Sequence, residues 1–331
     1  MPDARVPAPP PASPRALILL AFASIWFVWG STFLVIRYAI ADIPPVLMCG
    51  LRLAAAGALL LAWARLRGEA WPRGRELWNA SLVGVLLPGI GNTAVTLAIG
   101  HVPSGLVALL VSTIPLWMGL LVSLGPHAEP PGRRVTVGLV LGFAGIVLLI
   151  GPGLLTGRDA TLSPFWALVP IAGSLSWSWG SLWSRRVPLP RSPLVSTGVG
   201  LLASGLGLLL ISAAVGDLAR WRAADVGPTA WASLAYLSVF GSVLAFTAYI
   251  YLLGRVAPAK VATYAFVNPI VAMFLGFVFG GETLTPRTLL AAAVVLAAVW
   301  LITRAGAAAK APVARGAGVR AEPGAMPVRQ Q

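Results

Sequence analysis

The sequence predicts an all-α integral membrane protein of ten transmembrane helices, arranged as two inverted five-helix repeats. Three observations carry this expectation: apolar stretches near twenty residues that recur from Leu17 to Ile302, an uneven sharing of Lys and Arg between alternate loops, and short motifs that return about 150 residues later. Of 331 residues, 58% are apolar and 10% charged, against about 45–50% and 25% in soluble domains. So few charges cannot solvate a surface. A helix of about twenty such residues does cross a hydrocarbon core of ~30 Å at ~1.5 Å per residue.

In chain order the expected spans are 17–40, 45–64, 78–99, 103–124, 134–151, 163–184, 193–215, 230–253, 257–279 and 287–303. Residues 1–16, rich in Pro and Ala, read as a disordered cytoplasmic N-terminus. The apolar run that follows is too long for a signal-peptide core and has no small-residue cleavage site before Arg37, so it reads as an uncleaved first span. Residues 305–331, made largely of Ala, Gly, Pro and Arg, read as a disordered cytoplasmic tail. With both ends inside, 18 Lys and Arg fall on the cytoplasmic side and only Arg158, Arg220, Arg222 and Arg287 on the other, with Arg37 and Arg52 left within spans. The positive-inside rule demands that asymmetry, and an odd number of spans would scramble it. The net charge of +14 is therefore read as a topology signal and not as a nucleic-acid footprint.

Ser24–Ser31 (SIWFVWGS) matches Ser174–Ser181 (SLSWSWGS) at an offset of 150. Gly100, Val102 and Pro115 match Gly254, Val256 and Pro269 at an offset of 154. The repeats thus run over residues 17–155 and 160–304. Five spans is an odd number, so the second half enters the membrane from the opposite side, as in alternating-access carriers. Gly138-xxx-Gly142, Ala293-xxx-Ala297 and Gly276-xxx-Gly280 read as small faces for close helix packing, with a homodimer seam as the alternative.

Trp29-Gly30-Ser31-Thr32-Phe33 in the first span, Pro44-Pro45 and Arg52 in the second, and Pro269 followed by Gly281-Glu282 and a final apolar helix resemble the drug/metabolite transporter superfamily, specifically its EamA-type bacterial members. The resemblance covers about residues 17–304. It implies a ten-helix inverted-repeat bundle with a central cavity, exporting amino acids and other metabolites or moving related solutes. In the first half, Gly125-Pro126-His127-Ala128-Glu129 departs from the family's Gly-Glu pattern, which implies a differently built loop.

Catalytic constellations are missing from the sequence. All ten acidic residues fall in loops, tails or span ends, and neither a G-x-S-x-G with a histidine partner nor an H-E-x-x-H occurs. The lone Cys49 and the separated His101 and His127 offer no metal-ligand spacing. The reading is therefore a secondary transporter that is not an enzyme, with no cofactor or metal, a small-molecule substrate and the lipid bilayer as its surroundings. An integral-membrane enzyme or a non-transporting scaffold is the alternative of another class. Multidrug efflux or metabolite uptake is the alternative within transport.

Substrate contacts are expected from polar and aromatic residues near span centres. Trp26 and Trp29 are three apart, Asn92 and Thr96 four apart, and Tyr264 and Asn268 four apart, spacings that put each pair on one helix face. Ser112 and Thr113 precede the Pro115 break, and Trp179 is preferred to Trp177 because it is the repeat mate of Trp29. The mates of Tyr264 and Asn268 are Leu110 and Ile114, so the cavity is expected to be polar on one wall. Arg52 lies roughly 12 Å deep, where a guanidinium must face protein or water. Arg37 and Lys260 are expected to snorkel to the interface.

Overall fold

The computed structural model describes residues 14–124, 132–156, 164–253, 255–256, 261 and 263–308. The regular elements among them are all helical. They run α1 (Arg15–Ala39), α2 (Pro45–Leu66), α3 (Arg75–Ile99), α4 (Ser104–Ser123), α5 (Arg133–Thr156), α6 (Pro164–Ser184), α7 (Pro193–Ala214), α8 (Pro228–Tyr249), α9 (Tyr264–Phe279) and α10 (Pro286–Ala308). Seven of these, α1 to α4, α7, α8 and the Pro286–Arg304 part of α10, are long and apolar enough to cross a membrane, and α9 is a shorter apolar helix. The expected ninth span starts at 257, but α9 starts at Tyr264. The expected disordered tails, 1–16 and 305–331, are corrected at their inner edges, where 14–16 and 305–308 are helical; the rest of the tails, Gly125–Glu129 and Lys260 lie outside the described residues.

Proline opens α2, α7 and α8 at the first helical turn, where its missing N–H costs nothing. Three helices then leave the regular α path. α1 contains a π-turn at Ser24–Val28, α3 one at Val85–Asn92 that includes Pro88, and α8 one at Leu237–Leu244. α4 breaks at Ser112 and Thr113, just before Pro115.

Between lipid-embedded helices there is no hydrophobic force, so association depends on close approach. α2 packs along α7 and α5 along α10. At the first seam, a Cβ added at Gly205 would collide with the backbone nitrogen of Ala54, and one at Gly57 with that of Leu202. The other small faces divide. Gly138 sits against Ile302 and Gly142 against Leu116, so that face is filled within the chain. Ala293 and Ala297 are exposed, because α10 buries Ala291, Ala292, Val295, Ala298 and Val299 instead.

The end of the bundle holding the α3–α4 and α9–α10 loops is tied by Glu282. Gly281, at φ +64°, turns the chain back after α9, a conformation that glycine adopts without a Cβ clash. The Glu282 carboxylate then accepts the N–H groups of Ser104 (2.6 Å) and Gly105 (3.1 Å) at the start of α4. Arg37 donates to the same carboxylate (3.1 Å) and to the carbonyl of Gly280 (3.0 Å). This corrects the snorkelling expectation for Arg37: a buried carboxylate within reach is a better partner than headgroups. Glu282→Ala leaves two buried helix N–H groups unmet and is expected to cost about 1–3 kcal/mol. Arg37→Ala removes a half-exposed partner and is expected to cost under about 1 kcal/mol. Thermal unfolding of the two variants in one detergent checks the order; a larger loss for Arg37→Ala contradicts it.

Candidate functional site

The centre of the bundle holds a partly open cavity of about 120 Å³, lined by residues of α1, α2, α3, α4, α6, α8 and α9. Its aromatic part is organised around Trp29. That ring meets Tyr264 edge-on at 5.2 Å and Phe246 at 5.4 Å between centroids, and its indole N–H donates to the carbonyl of Gly241 (3.0 Å). Trp177 lines the α6 side and rests on Gly91, where an added Cβ would lie 2.9 Å from the ring.

The polar part is small. Arg52, 4% exposed, donates from Nε to the hydroxyl of Ser242 (3.1 Å), while its Nη1 has no partner among the described residues. Asn268 is assigned with its amide nitrogen towards α1. There it donates to the carbonyls of Ile25 and Trp26, both at 3.1 Å, and to its own helix at Tyr264 (3.3 Å). A π-turn opens the backbone ladder to inserted side chains, and Ile25 and Trp26 lie inside one. Asn268 therefore both lines the cavity and pins α9 to α1.

Of the residues expected at the site, Trp29, Arg52, Asn92, Tyr264 and Asn268 line the cavity together. The others are not on its wall. Trp26 packs with Phe22 (5.2 Å) and does not reach the cavity, although Trp29 and Tyr264 pack against the same small cluster. Its expected three-residue phase with Trp29 is lost because the intervening π-turn adds roughly one residue's rotation, about 100°. Thr96 is fully buried against the Cys49 sulfur (3.1 Å), since the π-turn ending at Asn92 rephases the helix and presents Val95. Ser112 and Thr113 turn their hydroxyls back to the carbonyls of Leu109 and Leu110, leaving Val111 and Ile114 on the wall. Trp179 is 58% exposed. Because α6 has no counterpart of the α1 π-turn, the repeat mate of Trp29 does not keep its face, and Trp177 lines the cavity instead.

Polarity is not confined to one wall either. Arg52 and Asn92 come from the first half, and Ser174, Tyr264 and Asn268 from the second. Sequence reasoning also missed Ser242. The signal was present: Gly89 and Gly241 lie 152 residues apart, each within a π-turn, which marks Val85–Asn92 and Leu237–Leu244 as equivalent segments.

The fold and cavity define a class: a polytopic helical membrane protein with a small, mostly apolar central chamber that holds one buried cation among the described residues. The pattern of the EamA-like transporter family matches residues 16–151 and 164–304, and the chain belongs to that family. It is 38% identical to the uncharacterized inner membrane transporter YedA of Escherichia coli strain K12, over 86% of this chain and 89% of that protein. It is 28% identical to a WAT1-related chloroplastic protein of Arabidopsis thaliana, over 84% and 67% of the two chains. Protein PecM of Dickeya dadantii is likewise 28% identical, over 83% and 88%. A crystal structure that shares 21% identity, covering 88% of this chain and 99% of its own, has the same fold at a TM-score of 0.58.

Loss of Trp177 removes part of the wall, whereas loss of Trp179 removes only exposed surface. Trp177→Ala is expected to lower solute flux in proteoliposomes at least about tenfold and Trp179→Ala less than about twofold, as one lost cavity aromatic outweighs an exposed one. Equal effects would mean that the chamber is not the path.

Proposed function

We propose that this protein is a secondary transporter that moves a small organic metabolite, an amino acid or related solute, across the inner membrane by alternating access, with export as the favoured direction. The observation that carries this reading is the central chamber, to which both stretches matched by the family contribute walls. The ten spans, two inverted halves and cytoplasmic termini belong to the same proposal. The matched π-turns of α3 and α8 and the seams pairing α2 with α7 and α5 with α10 support it, because repeat mates related by a central two-fold axis meet one another there.

Multidrug efflux is the weaker reading. A volume of about 120 Å³ is below the roughly 300–1,000 Å³ of pockets that take drug-sized ligands.

Counterflow of labelled amino acids into proteoliposomes, with and without a pH gradient, tests the activity. Saturable uptake that is lost in the Trp177→Ala protein is expected; uptake indistinguishable from empty liposomes for the whole panel contradicts it. The topology has its own check, because the single native Cys49 is buried. In a Cys49→Ser background, cysteines placed in both tails are expected to react with a membrane-impermeant maleimide only after permeabilisation. A tail labelled in intact cells would overturn the arrangement.

A further inference from the structure

We propose that the chamber selects an organic monoanion, a carboxylate on a compact apolar body, with Arg52 as the group that receives the charge. This rests on the transport reading above and, within it, moves the substrate from amino acids themselves to related solutes that carry the carboxylate without an ammonium. Arg52 is 4% exposed within α2, yet of its five N–H donors only Nε has a recorded partner among the described residues, the Ser242 hydroxyl at 3.1 Å. Nη1 is buried without an acceptor among the described residues. The recorded ion pairs are Arg37–Glu282 and Arg220–Asp217, and neither involves Arg52.

A guanidinium at membrane depth without a counter-ion is among the more expensive arrangements a chain can hold, and the sequence has not removed the cost by supplying a carboxylate. No Asp or Glu lines the chamber among the described residues. The missing anion is therefore supplied by the cargo. One guanidinium balances one charge, so a monocarboxylate fits better than a phosphate dianion. A zwitterion would bring an ammonium for which the wall has no acid. Fork geometry favours a carboxylate, which accepts two parallel N–H bonds. Ser242 holds Nε and so fixes the plane of the fork, and Gly241 keeps the space beside Nη2 free of a side chain. Size sets the rest. About 120 Å³ is a little below the roughly 150 Å³ that holds one benzene in an engineered core, which implies a body of about five or six heavy atoms.

Three probes of nearly one shape separate charge from size: 4-methylpentanoate, 4-methylpentanamide and L-leucine. Each is titrated against the full-length protein in neutral-lipid nanodiscs, with binding read as the shift in thermal unfolding. The expected result is at least tenfold tighter binding of the acid than of the amide, with leucine weaker than the acid. In Arg52→Met the acid and amide are expected to bind within about twofold of each other. Replacing a buried unpaired charge by an apolar side chain is often neutral or stabilising, but Ser242→Ala provides a second route should that variant not fold. It keeps the cation, releases the fork, and is expected to weaken the acid about three- to tenfold without changing the amide.

Equal binding of acid and amide by the native protein overturns the anion assignment while leaving the chamber a binding site. So does an acid preference that survives in Arg52→Met, or tighter binding of leucine than of the acid. An equal shift with chloride alone overturns the organic part of the proposal. Failure of the acid to bind overturns this proposal, and the counterflow result then decides the transport reading separately.

Discussion

Hydrocarbon offers no hydrogen bonds, so a polar group within the spans depends on partners in the chain or in a solute the chain encloses. Most of the hydroxyls here solve this locally. Ser81, Ser174, Ser204, Ser238, Thr247 and Thr303 each donate to a carbonyl one turn back in their own helix and so ask nothing of their neighbours. Groups that cannot close such a loop must reach across. Trp29 reaches Gly241, Arg52 reaches Ser242, and Asn268 reaches Ile25 and Trp26, all around one chamber. The place where local satisfaction fails is thus the place where helices are cross-tied, and the chamber lies inside those ties.

The same constraint explains why the helices are irregular there. A π-turn widens the backbone ladder and is costly unless something uses the widened turn. In α1 the widened turn accepts Asn268; in α3 it ends in Gly91 and Asn92, both on the wall; in α8 it presents Gly241, which accepts from Trp29. Each distortion is placed where a helix meets the chamber. At the far edge the problem is solved differently, by the Glu282 carboxylate meeting the first N–H groups of α4.

Helix positions were legible in the sequence because length and apolarity set them, and most boundaries fall within three residues of those expected. The depth of Arg52, Asn92, Tyr264 and Asn268 was legible for the same reason: polar residues at mid-span must turn inward. Facing was less legible. Trp26, Thr96 and Trp179 were placed by counting at 3.6 residues per turn or by the repeat, and each count runs through or past a π-turn that regular periodicity does not register. Ser112 and Thr113 failed for another reason, since a hydroxyl beside a helix break can satisfy itself on the preceding turn. Glu282 looked like an ordinary loop acid because its role depends on contacts 178 and 245 residues away.

The lone cation and the aromatic walls sit on elements of different rigidity. α2, which carries Arg52, meets α7 through glycines that let backbone touch backbone, an interface with little room to slide. Trp29 and Tyr264 sit on α1 and α9, which touch closely at Gly30 against Val271 and elsewhere meet through side chains, a π-turn and the Asn268 amide. Interfaces built of side chains can repack in discrete steps, whereas backbone seams move as one body. In a carrier of the proposed kind, Arg52 would then be the stationary point and the aromatic face the part that rearranges around a bound solute. If the cargo is the proposed monoanion, the charge pair it forms with Arg52 is strongest in a state that encloses the pair away from water.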